Sequence, residues 1–581
     1  MKFRYHTKKC LLGLAFIASL SATVSCKKFL DTEPEEALAK EQMYRDVYDA
    51  DAAVQGIYGK LMNLAGQYIV LNELRGDLVS VTANANPALR EIDENLVNPD
   101  NSYANPKQFY EVIIACNDVL KNFDIMLKDK KFTIDQYNQR YSDIGAIRSW
   151  VYLQLGIHFG NVPYVTDPIE NISDLKDATK FQKLSFDELL NKLVEYTEAL
   201  PYKQVYAGTS LITTVDGYPT NKFFINKECL LGDLNLWKGD YRRAAEYYKN
   251  VMETSSGSGN DNERYDTYRV RMAEISNNND LAVGYTRFRE QDAEALINSK
   301  TQGWKSMFSR SRDALWNTEW IWALPFNKNF KPSNPFIELF SITGGKYLLK
   351  PSVKSIDAWN AQVQLNGFPY DARKLFSINE NNGKPVVMKY LLSYLDDKTY
   401  LPADIFNKEG NWFLYRAATL HLRYAEAANR DNQHKIADAL LNTGIQAAYT
   451  VPGATDKRNI EQTFQPYPYD FDARKGDFPP IIGNWFRNAG IRGRAYLNRA
   501  PVVLDSTISI EDNLIAEAGL ELAFEGNRWG DLVRIALRRQ DPAFLADKIY
   551  QKLNREGNPK ATQVREFLLD PKNWYLPFKW E

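Results

Sequence analysis

The stretch FFINKECLLGDLNLWKGDYRRAAEYYKNVM, Phe223–Met252, decides the fold. Its apolar residues recur at spacings of three and four, which predicts two amphipathic helices. They are Leu230, Leu234 and Trp237 in the first helix, and Tyr241, Ala244, Ala245 and Tyr248 in the second. Gly239 lies between the helices and is suited to a left-handed turn. The pair resembles a tetratricopeptide unit, which cannot bury its own face and therefore needs helical neighbours.

Several other segments carry the same periodicity and are the predicted neighbours. They are 41–64 (with Met43, Val47 and Ala50 on its apolar face), 109–123, 143–161, 185–201, 413–430 and 435–449. The segment 185–201 also has Ser185 and Glu188 at the spacing of a capping box. We therefore predict a mainly α fold, a tetratricopeptide-like helical-repeat scaffold.

The middle of the chain differs in texture. Residues 253–266 are rich in Gly, Ser and Asn, which predicts a flexible stretch, and the sequence to about 410 is irregular and rich in Trp, Phe, Pro and Asn. One piece, EWIWALPFN (319–327), reads as a strand, with Trp320 and Trp322 assigned to packing. We expect a loop-rich lobe with little β-structure, of the kind on which binding surfaces are commonly built.

The first residues predict export. A basic start is followed by a short apolar run, Cys10–Ala22, too short to span a bilayer and typical of a signal peptide. Small residues directly before Cys26 make the leader similar to that of a bacterial lipoprotein, in which Cys26 would be lipidated. An ordinary cleaved signal beside a chance cysteine is the alternative.

The predicted organisation has five parts. Residues 1–25 form the signal peptide, 26–40 a lipid-anchored tether, 41–252 an N-terminal helical region, 253–410 the loop-rich lobe and 411–581 a C-terminal region that returns helices to the scaffold.

Composition and motifs exclude several function classes. The 581 residues have a formal net charge of −1, which argues against a nucleic-acid partner. No metal-binding, nucleophile-elbow or phosphate-loop motif occurs, so we predict no catalytic residue, metal or cofactor. Cys116 and Cys229 lie in helical patterns and are expected to be buried free thiols.

One cluster invites a catalytic interpretation. Glu517, Glu521 and Glu525 share a helix face at four-residue spacing, and carboxylate pairs hydrolyse glycosides. Stacked like charges repel unless arginines lie among them. We therefore favour an Arg–carboxylate network that joins two helices.

An ordered set of segments resembles the SusD/RagB family of outer-membrane nutrient-binding lipoproteins. The segments are CKKFLDTEP, FYEVIIACNDVL, RSWVYLQLGIHFGNVPYV, GDYRRAAEYY, EWIWALPF, LKPSVKSIDAW, DARKLF, RYAEAANR and ELAFEGNRWGDLVR. The resemblance implies a surface lipoprotein that captures oligomers and acts as the lid of a SusC-like TonB-dependent transporter.

The resemblance also implies that ligand sites draw on two places, the loop after an early helix and the middle region. Exposed aromatic rings suit sugar faces, and polar side chains suit hydroxyls. The candidates are Arg75, Asp77, Asn101 and Tyr103 in the first place, and Trp304 and Trp316 in the second.

Three other functions remain open at this point. The ligand could be a peptide instead of an oligosaccharide. The chain could be a lipid-anchored glycoside hydrolase with an unrecognised carboxylate pair. It could also be a scaffold lipoprotein that uses its helices for protein contacts only.

Overall fold

The computed structural model describes most of the chain after the predicted tether. The described residues are 43–169, 178–215, 218–253, 305–309, 319–365, 367, 369, 371–381, 383–396, 399–449, 465–473, 485 and 488–579. The predicted signal peptide and tether, and all but the first residue of the segment 253–266, lie outside them.

The protein is mainly helical, as the sequence predicts. The helices of the N-terminal half are α1 Val47–Met62, α2 Ala65–Ile69, α3 Pro87–Asp93, α4 Lys107–Lys128, α5 Ile134–Phe159, α6 Phe186–Glu198, α7 Lys227–Lys238 and α8 Tyr241–Met252. The helices that follow are α9 Ser306–Ser309, α10 Pro335–Phe340, α11 Val353–Asn360, α12 Lys374–Ser377, α13 Ala417–Arg430, α14 His434–Leu441, α15 Ile445–Ala448, α16 Ile491–Arg494, α17 Thr507–Glu521, α18 Arg528–Arg539, α19 Pro542–Arg555 and α20 Ala561–Leu568. A π-helical turn, Val70–Leu74, extends α2. Among the described residues, no helix is both long and apolar enough to cross a bilayer.

The predicted helix pair is confirmed as α7 and α8. Gly239 ends α7 in the left-handed region with φ 89°, and Asp240 caps α8 by accepting the N–H of Arg243. A Cβ on Gly232 would lie 2.3 Å from the ring of Tyr248, so the missing side chain lets the two helices meet. The left-handed turn at Gly239 is therefore confirmed, and Gly232 allows the close contact between the two helices.

Three predicted helix boundaries were wrong. Met43 lies before α1 and is 49% exposed, because Asp46 accepts the N–H groups of Tyr48 and Asp49 and starts the helix at Val47. Residues 413–416 belong to a strand, so the helix predicted at 413 begins at Ala417. The helix predicted over 435–449 is two helices, α14 and α15, because Gly444 has φ 87° and interrupts it.

The strands form small two-stranded sheets. They are β1 Val79–Val81, β2 Val162–Pro163, β3 Lys183–Leu184, β4 Thr214–Val215, β5 Tyr218–Pro219, β6 Trp320–Phe326, β7 Leu349–Pro351, β8 Ile378–Asn381, β9 Lys384–Val387 and β10 Gly410–Arg416. All the described pairs are antiparallel: β1 with β7, β2 with β3, β4 with β5, β8 with β9 and β6 with β10. The predicted strand is β6, and its Trp320 and Trp322 are buried as predicted.

A buried charge network joins the lobe to the C-terminal helices. It contains the carboxylates of Glu319, Asp371, Glu517, Glu521 and Glu525, and the cationic groups of Arg373, Lys389, Arg416, Arg492 and Arg494. Five acids balance five bases, so the cluster is neutral as a whole. The architectural interpretation of the glutamate row is thereby confirmed, and the neutralising groups come from the lobe, β10 and α16.

The turn between α17 and α18 is held from the N-terminal region. Gly526 has φ 87°, and a Cβ there would lie 2.1 Å from the ring of Tyr68. The carboxylate of Glu73 accepts the N–H groups of Gly526 and Asn527 at 2.7 and 3.0 Å, which satisfies donors at the start of α18. The sequence EGNRW thus forms a packed joint between the two halves of the scaffold.

The two cysteines of the helical region are free and buried, as predicted. Burial raises the pKa of the Cys116 thiol to about 12, so the thiolate that reacts with oxidants or metals is disfavoured.

Candidate functional site

Two exposed phenylalanines mark one end of the β6–β10 ribbon. Phe326 pairs with Gly410 at this end, so the segments 327–334 and 399–409 leave the ribbon side by side. Phe330 in the first segment is 71% exposed and Phe406 in the second is 85% exposed. These are the most exposed of the large hydrophobic side chains that the structure describes.

The loop after β1 lies next to this end of the lobe. Thr82 donates through Oγ1 to the carbonyl of Tyr347 at 2.5 Å, and the Asn84 amide donates to the carbonyl of Lys346 at 3.0 Å. Glu338 then links Lys346 to Lys408, with N–O distances of 3.5 and 2.9 Å. We define the loop rim as segments 82–86, 327–334, 341–348 and 399–409, together with the turn at Ser102–Ala104.

Helix α2 connects that turn to the rest of the rim. Gln67 donates to the carbonyls of Tyr103 and Asn105 at 2.7 and 2.8 Å. On its neighbour Gly66, a Cβ would lie 3.2 Å from Cβ of Pro335, which begins α10 after the Phe330 loop. The early loop and the lobe therefore lie together at the rim, and the ligand site expected there stays a prediction.

Short polar side chains fix the backbone of these loops. Asn327 accepts the N–H of Asn329, and Asp404 accepts the N–H of Phe406, at 2.8 and 2.9 Å. Such turns satisfy backbone donors locally, so they need no contact with the scaffold and leave neighbouring side chains in solvent. Asn101 makes the same turn at the N–H of Tyr103.

The rim offers apolar ring faces beside hydrogen-bonding groups. Asn84, Asn86 and Asn329 are exposed there, and Tyr103 is half-buried. Burial raises the pKa of the Tyr103 phenol, and a hydrogen bond with Asn86 offsets part of this effect, so the hydroxyl remains neutral near pH 7. Neutral donors and acceptors around rings suit sugars, which carry apolar faces and hydroxyl edges.

Arg75 and Asp77, two of the predicted site residues, are each 1% exposed. Arg75 lies 3.8 Å over the ring of Trp529 and donates to the carbonyl of Trp574 at 2.6 Å, and burial lowers its pKa to about 9. Asp77 pairs with Arg528 at 2.5 Å. In this structure both side chains hold the scaffold and present no surface to a ligand.

Asn101 is 5% exposed and donates to the carbonyl of Ala88, so its role here is also structural. Of the four early-loop candidates, Tyr103 alone reaches the rim. Trp304, Trp316 and the lipid-attachment candidate Cys26 lie outside the described residues, and their roles stay predictions.

Phe330 and Phe406 are not among the site residues predicted from the sequence, whose aromatic members are Tyr103, Trp304 and Trp316. A signal does exist, because each phenylalanine follows an Asn or Asp within three positions in a segment rich in turn formers, NKNFKPSN and PADIFNK. A ring in such a turn has few neighbours to pack against.

A small polar cavity lies apart from the rim, among α5, α7, β10, α13 and α18. It has a volume of about 30 Å³ and is lined by polar groups that include Asp233, Arg423, Asp531 and Arg534. This volume suits one or two ordered waters and is far below that of a sugar ring. In the described part of the chain, no three His, Cys, Asp or Glu side chains are grouped to hold a metal ion.

Comparison with known proteins gives consistent matches. Residues 358–578 match the family model described as the SusD family. The chain is similar to SusD-like protein P2 of Formosa agariphila, with 24% identity over 250 residues, 42% of this chain and 46% of that protein. The match thus spans about half the length of this curated relative.

Two solved structures share the fold. A SusD superfamily protein from Bacteroides vulgatus superposes with a TM-score of 0.58 and 14% identity, covering 92% of this chain and 96% of that chain. A laminarin-binding SusD-like protein superposes with a TM-score of 0.51 and 14% identity, covering 90% and 98%.

Proposed function

We propose that the chain, whose residues 358–578 match the SusD family model, is a nutrient-binding lipoprotein of the SusD/RagB family that lies at the outer membrane and captures oligosaccharides at the cell surface. It passes them to a SusC-like TonB-dependent transporter, for which it acts as the lid. The lipid on Cys26 holds it at the membrane. The observation that carries the binding role is the loop rim, where Phe330 and Phe406 stand in solvent beside polar groups.

An oligosaccharide is favoured over a peptide by the chemistry of the rim. The described rim offers open ring faces and side-chain amides, whereas peptide recognition usually adds an exposed strand edge or deep side-chain pockets. The laminarin-binding relative of the same fold is a second argument. Peptide capture in the same place is the alternative.

The role is binding without hydrolysis. Glu517, Glu521 and Glu525 are at most 3% exposed, and each is paired with an arginine or lysine. A glycosidase needs one carboxylic acid and one carboxylate on either side of a substrate. Buried carboxylates held by cations can neither reach a sugar nor exchange protons with it.

The test is binding of laminarin-derived oligosaccharides and of short peptides to the exported protein, followed by calorimetry and by chromatography of the products. We expect oligosaccharide binding without new products. Replacing Phe330 and Phe406 together by alanine should weaken the affinity for the oligosaccharide at least tenfold, because stacking of sugar rings on these two exposed rings supplies much of the binding contact. Tyr48→Ala, which removes a 69% exposed ring at the start of α1, is the matched control.

Three results would count against the proposal. They are peptide binding without oligosaccharide binding, product formation, and equal losses in the double variant and the Tyr48 control. The lipid and transporter roles need separate measurements. We expect labelled palmitate on the wild type but not on Cys26→Ser, and co-purification of a TonB-dependent barrel with the wild type.

A further inference from the structure

The segment around Phe330 is basic. Residues 327–334, NKNFKPSN, contain Lys328 and Lys331 and no acidic residue. Both lysines are exposed, and the described part of the chain provides no ion pair for either. The most open ring face of the lobe apart from Phe406 is therefore flanked by two cations without a described counter-ion.

The neighbouring part of the rim adds to this charge. The Lys346 side chain is 71% exposed and shares the single carboxylate of Glu338 with Lys408. Two cations for one anion leave a positive excess at this point. The acidic groups of this part of the rim are Asp404, which is engaged with the N–H of Phe406, and Glu409, which lies beside the 327–334 segment and whose carbonyl accepts from Asn334.

This arrangement contrasts with the chain as a whole, whose formal net charge is −1. In a chain with nearly equal numbers of acidic and basic residues, we expect an exposed lysine without a binding role to have acidic side chains near it. Two lysines within three residues of an exposed ring instead match a ligand that brings both an apolar face and negative charge.

We propose that the loop rim binds oligosaccharides that carry carboxylate or sulfate groups, with Phe330 against a sugar ring and Lys328 and Lys331 paired with the anionic substituents. This inference rests on the proposed function and narrows its ligand class. Exposed ion pairs are individually weak and are screened by salt. Their contribution is selectivity for acidic over neutral sugars, with a marked dependence on ionic strength.

The experiment compares a short oligogalacturonate with a laminarin-derived oligosaccharide of similar length, on the full exported protein at low and high salt. We expect the acidic sugar to bind about tenfold more tightly at low salt, in line with two exposed ion pairs. The Lys328→Gln, Lys331→Gln double variant should lose this preference and keep the affinity for the neutral sugar. High salt should have the same effect on the wild type.

A matched control removes two lysines elsewhere. Lys128 and Lys130 are exposed at the other end of α4, a helix of 22 residues and thus about 33 Å long. Their replacement by glutamine changes the net charge equally and should leave both affinities unchanged. An equal loss in the control would mean that overall charge, and not the rim, sets the preference, and would overturn the inference.

The outcomes separate the two proposals. Neutral binding that equals acidic binding, without a salt effect, overturns this inference and leaves the proposed function intact. No binding of either sugar overturns both. Binding of poly-glutamate or of phosphatidylglycerol vesicles as tight as that of the oligogalacturonate, and lost in the same double variant, also overturns the inference, because the rim would then be a general anion surface.

Discussion

Replacing Glu521 by glutamine tests whether the buried charge network holds the lobe on the scaffold. Glu521 is 1% exposed and accepts hydrogen bonds from Arg373, Arg416 and Arg494 at 2.7, 2.8 and 2.7 Å. Glutamine keeps the shape but removes the charge, and it turns one acceptor into an N–H₂ donor that faces guanidinium donors. The network then carries one uncompensated positive charge in the interior.

Breaking a buried ion pair from one side costs about 3–5 kcal/mol. Each arginine here keeps another carboxylate: Arg373 keeps Asp371 and Glu517, Arg416 keeps Glu319 and Glu525, and Arg494 keeps Glu319. Because the arginines keep these other carboxylates, we expect Glu521→Gln to lower the free energy of unfolding by about 3 kcal/mol, the lower end of that range.

The assay is urea unfolding followed by tryptophan fluorescence and by circular dichroism. Two probes are needed because a chain of this size need not unfold in one step. The control is Glu195→Gln, since Glu195 is 75% exposed in a pair with Lys192 and its loss should cost less than about 1 kcal/mol. If the free energy of unfolding of Glu521→Gln lies within about 1 kcal/mol of the wild-type value, the network does not hold the lobe on the scaffold, and the reasoning fails.

The same group predicts an acid dependence. Burial alone would raise the pKa of Glu521, but the guanidiniums of Arg494, Arg416 and Arg373 together hold it well below its usual range. In the unfolded chain this carboxyl takes up a proton near pH 4.3, whereas in the folded protein it stays ionised to lower pH. Stability should therefore fall as the pH drops below about 4, and by less in Glu521→Gln.

Two further predictions concern the scaffold and are read out as shifts in the melting temperature. Gly232→Ala should lower the free energy of unfolding by about 1–3 kcal/mol, because its Cβ meets the ring of Tyr248, which is fixed by a 2.7 Å hydrogen bond to Asp233. At Gly59 in α1, no atom lies within 4 Å of an added Cβ, so Gly59→Ala should instead raise the free energy of unfolding by about 0.5–1 kcal/mol. A loss of similar size at both sites would contradict the packing argument. Ser185→Ala should cost about 1 kcal/mol through the capping box of α6, and an unchanged melting temperature would show that the cap contributes nothing.

Local rules were sufficient for much of the fold. The helix pair α7–α8 follows from residue spacing and one glycine, and the start of α6 follows from the Ser185–Glu188 capping box. These features involve residues close in sequence, so the sequence displays them directly. The ordered family segments extended the prediction to the fold class of the whole chain.

Long-range contacts account for what was missed. The hydrogen-bond donors to Glu521 are Arg373, Arg416 and Arg494, which lie 27 to 148 residues away in the sequence. No spacing rule connects such positions. The burial of Arg75 has the same cause, since its carbonyl partner is at Trp574, 499 residues further along the chain. An arginine on an early loop looks like a ligand group until its distant partners are known.

The network and the loop rim lie at opposite ends of one structural unit. Trp320 and Arg416 pair at the network end of the β6–β10 ribbon, and Phe326 and Gly410 pair at the rim end. Seven residues of strand separate the two ends by about 20 Å. A ribbon held at one end by buried ion pairs positions the loops at its other end, together with the local contacts of those loops with α2 and with Glu338. The rings of the rim can therefore remain exposed for a ligand, because part of the free energy that holds the ribbon is supplied by buried ion pairs at the opposite end of the strands.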